Sequence, residues 1–422
     1  MRTFLVYAMG VTCTAALVLP LAAPAGAAPD APAHDDDLPG STQSLPLDAL
    51  SPPSARATGA PAGEQGLAER QVRPFSLVGV VWDDVDAELH GIAQVRVRAT
   101  GGHRWSGWQD LETHNAEHAP DPGSAERAAG AVKGSTAPLW VGPSDGVEVR
   151  VRPEAPRTRG AAPVPLPAGL HLELVDPGED PQEVAGTAGA DRAAGRAAGA
   201  LPALDRAETV AAAGLEPAAR PYIGPRPRIV TRKGWGADEK LREKGFAYTR
   251  TVKAAFVHHS ATGNTYRCSQ APSVIRGIYR FHVRSNGWRD LGYNFLVDKC
   301  GNVYEGRAGG VTRAVLGAHT LGFNTDTMGI AVLGTFRDSR PPAAAVTAVS
   351  RLTAWKLGLS GADPTGKVRL VSAGGGKYKK GKRVEMNVIS GHRDGFATDC
   401  PGARLYKKLG TARTASARLQ GR

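Results

Sequence analysis

Cysteine is scarce, with four in 422 residues. That is too few for a scaffold held together mainly by disulfides. Long apolar runs are scarcer still. Only Phe4 to Leu21 approaches the length of a membrane span, which excludes a polytopic membrane protein. Acidic residues thin out along the chain. From Arg226 onward 35 Lys and Arg face 12 Asp and Glu, a net of +23; residues 1–225 carry 17 against 28, a net of −11, which together give the chain's +12. A strongly basic half suits a polyanionic partner.

The one apolar run has the features of a secretory signal. Arg2 precedes it, and Ala25-Gly26-Ala27 offers small residues for cleavage, so residues 1–28 are expected to be removed on export. Pro20 and the small-residue end favour this over an uncleaved anchor, and no stable membrane insertion is expected afterwards. Cys13 would leave with the signal. Cys268, Cys300 and Cys400 remain in an oxidising setting, and an odd count suggests one pair and one thiolate with another task. Export also favours anionic cell-wall polymer over nucleic acid as the polyanionic partner.

Composition divides the rest. Residues 29–73, rich in Pro, Ala, Ser and Asp, read as a disordered spacer. Residues 74–178 read as a small all-β domain, a sandwich in expectation. Its strand candidates are 75–82, 94–100, 136–142, 147–152 and 170–175, and Val95 to Arg98 and Val147 to Arg152 alternate as half-buried strands do. Trp105 and Trp108 could stack on sugar rings; the composition favours core positions. His114 and His118 flank Glu117 and could hold a metal, but the stretch reads as a polar surface loop. Residues 179–224 form an Ala/Gly-rich linker, helical in part around 203–213. Residues 225–413 run strand, helix, strands, helix, strand, helix, which implies an α/β domain with a mixed central sheet covered by helices. A tail, 414–422, follows. The Gly-flanked basic run Lys377 to Arg383 is expected to be an exposed hairpin tip or loop.

Two stretches of the second domain carry metal-binding residue types. The run Val384 to Ile389 reads as a strand leading into Gly391-His392-Arg393-Asp394, with Cys400-Pro401 on the loop beyond. Phe256-Val257-His258-His259-Ser260 ends another apolar run. Imidazole and thiolate are both good zinc ligands, and three of them from separate strand ends, with a fourth position open, is the pattern of a catalytic zinc site. Spacing alone does not choose between His258 and His259, because neighbours on a strand face opposite ways. Glu305 and Asp399 are carboxylates within reach in sequence, with Glu305 the better fit to a structural place at a strand end. A thiol hydrolase built on Cys400 and His392 needs no metal and competes with this reading.

Six motifs in fixed order resemble the peptidoglycan recognition proteins and the zinc N-acetylmuramoyl-L-alanine amidases related to them. They are Arg232-Lys233-Gly234-Trp235-Gly236-Ala237, Val257-His258-His259-Ser260, Gly287 to Phe295, Val303 to Arg307, Gly317-Ala318-His319, and Gly391-His392-Arg393-Asp394 through Cys400-Pro401-Gly402. The resemblance covers under half of the chain. It implies a Zn2+ ion held by His258, His392 and Cys400. It implies Tyr293 as the catalytic tyrosine, Thr398 as an assisting hydroxyl, and hydrolysis of the amide between N-acetylmuramic acid and L-alanine. Arg307 and His319 become groove contacts for a carboxylate or muramyl group. Cys268–Cys300 becomes a disulfide, and the protein a secreted, wall-associated monomer whose partner is peptidoglycan. A member that binds peptidoglycan without cutting it is the alternative, and Cys400 argues against it, since members without catalysis often lack the cysteine. Ala308 and Gly309 follow Arg307 where diaminopimelate-preferring members often carry Gly-Trp, which leaves the stem-peptide preference open. The N-terminal β domain resembles a module that accompanies such amidases, and all the ligands named lie beyond residue 225, so it is expected to be dispensable for the chemistry.

Overall fold

The computed structural model describes residues 40–50, 63–155, 163–179, 199–216 and 221–422. The signal expected at 1–28 lies outside them, as does half of the Ala/Gly-rich linker expected at 179–224. In the N-terminal half, β1 (Ser41–Pro46), β2 (Asp48–Ala49), β3 (Gln65–Trp82), β4 (Gly91–Ala99), β5 (Gln109–Leu111), β6 (Gly134–Ser135), β7 (Leu139–Pro153) and β8 (His171–Asp176) form one antiparallel sheet. Its path is β1-β8-β3-β7-β4-β5, with β2 and β6 paired to β3. The alternating stretches behave as their pattern dictates. Ala93, Val95 and Val97 face Val151, Val149 and Val147 across β4 and β7, all buried, while Arg96 opposite Glu148 forms an ion pair on the other face.

Two expectations need correction here. The spacer assigned to 29–73 contains β1, β2 and the first half of β3. Its apolar pattern is weak because backbone pairing holds it: β1 matches β8 along its whole length, and the Gln43 amide bonds both backbone groups of Arg73. The strands of the β domain are joined in one continuous hydrogen-bonded path, in which the long β3 is bulged against β7. Trp105 and Trp108 are half-buried on its outer face, where Arg96 and Arg150 stack on them, and do not enter the core. Between β5 and β6 runs a long segment, residues 112–133, carrying the short helix α1 (Ala125–Ala128).

The second half is the mixed sheet with helices that the element order implied. The strands are β9 (Ala200–Leu201), β10 (Ile229–Val230), β11 (Ala254–His259), β12 (Phe295–Val297), β13 (Val303–Glu305), β14 (Thr327–Val332), β15 (Lys367–Val371), β16 (Arg383–Asn387) and β17 (Ile389–Gly391). Seven make the sheet β17-β11-β14-β12-β13-β10-β9, and β15 pairs with β16 as a separate hairpin. The helices are α2 (Arg206–Ala212), α3 (Arg232–Trp235), α4 (Ala271–Arg280), α5 (Ala343–Gly358), α6 (His392–Gly395), α7 (Ala403–Tyr406) and α8 (Leu409–Gln420). The strand expected over 384–389 is therefore two: β16 in the hairpin and β17 beside β11. The basic run occupies the loop of that hairpin. The expected tail is mostly α8, pinned to α5 through Ser416 and Thr353 hydroxyls 2.6 Å apart. Helix α2, inside the expected linker, carries a full capping box from Asp205 and Glu208.

Helix α4 ties the two halves together. It is buried nearly all round, which a surface helix with one apolar face is not. One side packs on the mixed sheet; the other meets the β domain. The C-terminal half of β3 explains how. Val78, Val80 and Trp82 point into the β-domain core, while Leu77 and Val81 join α4 in the neighbouring core. Gly79 lets Phe281 sit against the strand, since a Cβ there would lie 2.6 Å from two ring carbons. Arg276 on α4 donates to the carbonyl of Pro177. The halves separated by a low-complexity tract in sequence are thus one unit in space.

Cys268 and Cys300 are joined, with Cα atoms 6.2 Å apart and a sequence separation of 32. Closing a loop of that length stabilises by about 3–4 kcal/mol through the unfolded chain. Replacing both residues by serine is expected to lower the unfolding free energy by that amount in urea denaturation. Non-reducing peptide mapping that finds both thiols free would refute the pairing.

Candidate metal centre

Strand β11 is flanked on both sides by parallel partners, β14 and β17, so both its faces are covered and all six residues are buried. Alternation sends Ala255, Val257 and His259 to one face and Phe256 and His258 to the other. The ring of His259 is engaged away from the cluster, its Nδ1 accepting from the Phe336 amide at 3.3 Å. Strand β17 ends beside β11, and His392 is the first residue of α6 after it. Cys400 follows on the loop, 2% exposed, its amide donating to Thr398 Oγ1 at 3.0 Å. His258, His392 and Cys400 therefore converge, as three strand-end donors.

A fourth donor comes from the other domain. His118, on the segment between β5 and β6, lies among them, and one ligand atom from each of the four falls within 4.8 Å of the rest. His118 Nε2 is 3.3 Å from His258 Nδ1 and 3.8 Å from Cys400 Sγ, which is itself 3.8 Å from His258 Nδ1. A tetrahedral zinc ion with ordinary bond lengths separates two nitrogens by about 3.3 Å and nitrogen from sulfur by about 3.6 Å. The donor set fits zinc in type and spacing. The hydrogen bonding agrees. Among the described residues neither ring nitrogen of His392 has a hydrogen-bond partner, although both are buried. Burial also lowers the pKa of His258 and His392 far below the usual histidine value and that of His118 to about 3, with neighbouring histidines adding to it. The imidazoles are held neutral, as metal ligation requires.

The reading of His118 as part of a surface loop is thus overturned: it is 7% exposed, while His114 nearby stays in solvent. Glu117 beside it is buried as well. Its carboxylate accepts from the Thr398 hydroxyl at 2.6 Å, and burial pushes its pKa up to about 8 against that hydrogen bond. Tyr293 stands at the cluster, its ring 5.4 Å from that of His258, and burial holds the phenol protonated far above the usual range. Arg307 is buried under the same segment, making a two-pronged contact at 2.8 and 2.9 Å with Glu126. His319 is no groove contact. It is fully buried behind His258, its Nδ1 against Thr320 Oγ1 and its Nε2 facing Thr327 Oγ1, so it backs a ligand instead. Glu305 is structural, accepting from the Arg232 amide, and Asp399 pairs with Arg337 at the surface.

His118, Glu117 and Glu126 are the residues that sequence reasoning did not assign to the site. The signal available was a histidine flanked by acids. Nothing local distinguishes it from a solvated loop.

Fold and site together define an α/β domain built around a buried cluster of nitrogen and sulfur donors that could hold a metal ion. Comparison with known proteins specifies the family. Residues 248–403 match the N-acetylmuramoyl-L-alanine amidase family model, and residues 29–169 match one described as Rv3811 N-terminal galactose-binding domain-like. The chain is 31% identical over 185 residues to peptidoglycan-recognition protein SC2 of Drosophila simulans, covering 43% of this chain and 85% of that one. It is 31% identical over 183 residues to peptidoglycan-recognition protein LE of Drosophila melanogaster, covering 43% and 46%. Among solved structures, wild-type Drosophila PGRP-LB aligns at 27% identity over 44% of this chain and 93% of that one, with a TM-score of 0.35. The protein-LE structure in complex with tracheal cytotoxin aligns at 29% over 43% and 92%, with a TM-score of 0.33. The chain belongs to the peptidoglycan-recognition and N-acetylmuramoyl-L-alanine amidase family, with a galactose-binding-like β domain in front of the family domain.

One zinc ion per chain is expected by elemental analysis of the purified protein. Cys400→Ser and His392→Ala are each expected to lose most of it on dialysis. For the wild type, zinc at 100 to 1,000 times its dissociation constant should raise the unfolding free energy by about 3–4 kcal/mol.

Proposed function

We propose that the chain is a secreted, zinc-dependent N-acetylmuramoyl-L-alanine amidase that hydrolyses the amide between N-acetylmuramic acid and the L-alanine of the stem peptide. The observation that carries this is the convergence of His258, His392 and Cys400 beside Tyr293 in the domain that matches the amidase family. Its relatives' names support peptidoglycan as the substrate class. Zinc, when bound there, supplies a Lewis acid that polarises an amide carbonyl and lowers the pKa of water.

The chain's own groups account for the rest. His319 packs behind His258 and limits its movement. Tyr293 keeps its proton at neutral pH, so its hydroxyl serves as a hydrogen-bond donor toward charge developing on the substrate oxygen. The Thr398 hydroxyl accepts from the Cys400 amide, which fixes it beside the sulfur, and donates its own proton to Glu117. Arg307 carries a fork suited to a carboxylate or a muramyl oxygen, and in this structure Glu126 holds both prongs. Cys400 suits ligation better than attack, because its sulfur is buried and burial pushes the thiol pKa well up. A second reading, binding without cleavage, is favoured by one observation: His118 gives the centre a fourth protein donor.

The test is mass spectrometry of soluble muropeptides after prolonged incubation with the zinc-loaded full chain. The expected products are free stem peptide and peptide-free muramyl sugar, with a chelator abolishing their formation. Tyr293→Phe should keep its zinc and lose about 10²–10³ in kcat, the scale of one oxyanion donor. Cleavage that survives metal removal would sink the reading.

The basic hairpin loop between β15 and β16 bears on localisation. Lys379, Lys380 and Lys382 are exposed, and Lys377 reaches the Arg393 carbonyl, next to His392, at 3.2 Å. This supports attraction to anionic wall polymer beside the site, screened beyond about 8–10 Å at moderate salt. Changing these four lysines to glutamine is expected to weaken sedimentation with purified walls at low salt and to matter little at high salt. Equal binding by mutant and wild type throughout a salt series would reduce the loop to a solubility device.

A further inference from the structure

We propose that residues 112–128 form an inhibitory arm: His118 closes the metal centre as its fourth ligand, Glu126 occupies Arg307, and the arm must withdraw before substrate enters. The inference rests on the zinc reading above and adds a state in which the enzyme is latent.

Three observations carry it. The first is the coordination itself. A catalytic zinc site keeps one position open, whereas a set of four protein donors is closed. His118 Nε2 stands at a tetrahedral edge distance from His258, 3.3 Å, and close to one from Cys400, 3.8 Å. The second is space. The cavity left beside the cluster, lined by Glu117, His118, Tyr293 and Cys400 among others, holds only about 10 Å³. That is about the volume one water needs, and no peptide fits it. The third is the set of groups that the arm engages. Its Glu117 takes the Thr398 hydroxyl, its Asp121 takes the Gly322 amide and the Asn324 side chain, each at 2.7 Å, and its Glu126 takes both prongs of Arg307. The arm thus covers the open metal position, the assisting hydroxyl and the guanidinium fork at once. It presents carboxylates where an acidic stem peptide would present its own.

The arm can leave without the domain leaving. The β domain is seated on α4 through apolar packing around Leu77, Val81 and Phe281. The arm meets the family domain through hydrogen bonds, two ion pairs (Glu126–Arg307 and Glu112–Arg337) and the ring of His118, and the polar contacts among these are ones that water or an anionic wall ligand can replace. A carboxylate-bearing substrate competing for Arg307 is the class of ligand suited to displacing it.

The test uses the full chain loaded with Co2+ or Zn2+, in wild type, His118→Ala and Glu126→Lys. The second variant puts a cation against Arg307 and releases the arm without touching a ligand. The visible ligand-field bands of the Co2+ protein should shift in His118→Ala. In metal-free protein, Cys400 should be alkylated by iodoacetamide faster in Glu126→Lys than in wild type. With zinc, both variants should cleave a soluble muramyl pentapeptide about tenfold faster or more, the factor expected when a docked state is the major population. Unchanged cobalt bands would remove His118 from the coordination sphere and overturn the proposal. Shifted bands with slower cleavage than wild type would make His118 part of the working enzyme and overturn the latch. If no variant cleaves while the bands shift and alkylation quickens, occlusion stands and the amidase reading fails.

Discussion

Three imidazoles and a thiol taken out of water at one point are the constraint on which the rest of this structure depends. Polar groups buried without partners cost several kcal/mol, and among the described residues neither nitrogen of His392 has a hydrogen-bond partner. A metal ion would make such burial tenable, and the surroundings hold the four candidate donors in place. Parallel strands on both sides fix β11 and hence His258. His319 packs behind that ring, and Asn324 holds His319 and Thr320 through their amides. The same Asn324 receives Asp121 from the β domain, so the support of the centre and the seat of the arm share one residue.

That sharing changes how the two halves are understood. A module joined by an Ala/Gly tract would ordinarily be free to move. Here α4 is enclosed between two sheets, Gly79 yields space to Phe281, and a bidentate Arg307–Glu126 pair is buried across the junction. Truncation at residue 225 would strip one face of α4 as well as remove His118. The β domain is therefore part of the fold of the family domain, and its dispensability does not follow from the location of the three family ligands.

Much of this was legible in the chain. Strict alternation placed β4 and β7. The apolar run ending at His258 and His259 marked β11. The motifs around His258, Tyr293, His392 and Cys400 named groups that the fold does bring together. What failed to show was of two kinds. Segments held by backbone pairing, such as β1, leave little trace in side-chain pattern. Side chains that matter through another domain leave none: His118 is 140 residues from His258 and 282 from Cys400.

The sequence by itself determined the mixed sheet covered by helices, because periodicity is a local property, and its family resemblance named His258, His392 and Cys400, three of the four candidate donors that the fold brings together. Only the tertiary structure decided which face His258 presents, that His319 supports a ligand and lines no groove, and that a polar-looking loop ends as the fourth donor. Each of these depends on how one sheet seats on α4, and that seat is set by shape and apolar area between residues far apart in the chain, where no local spacing records it.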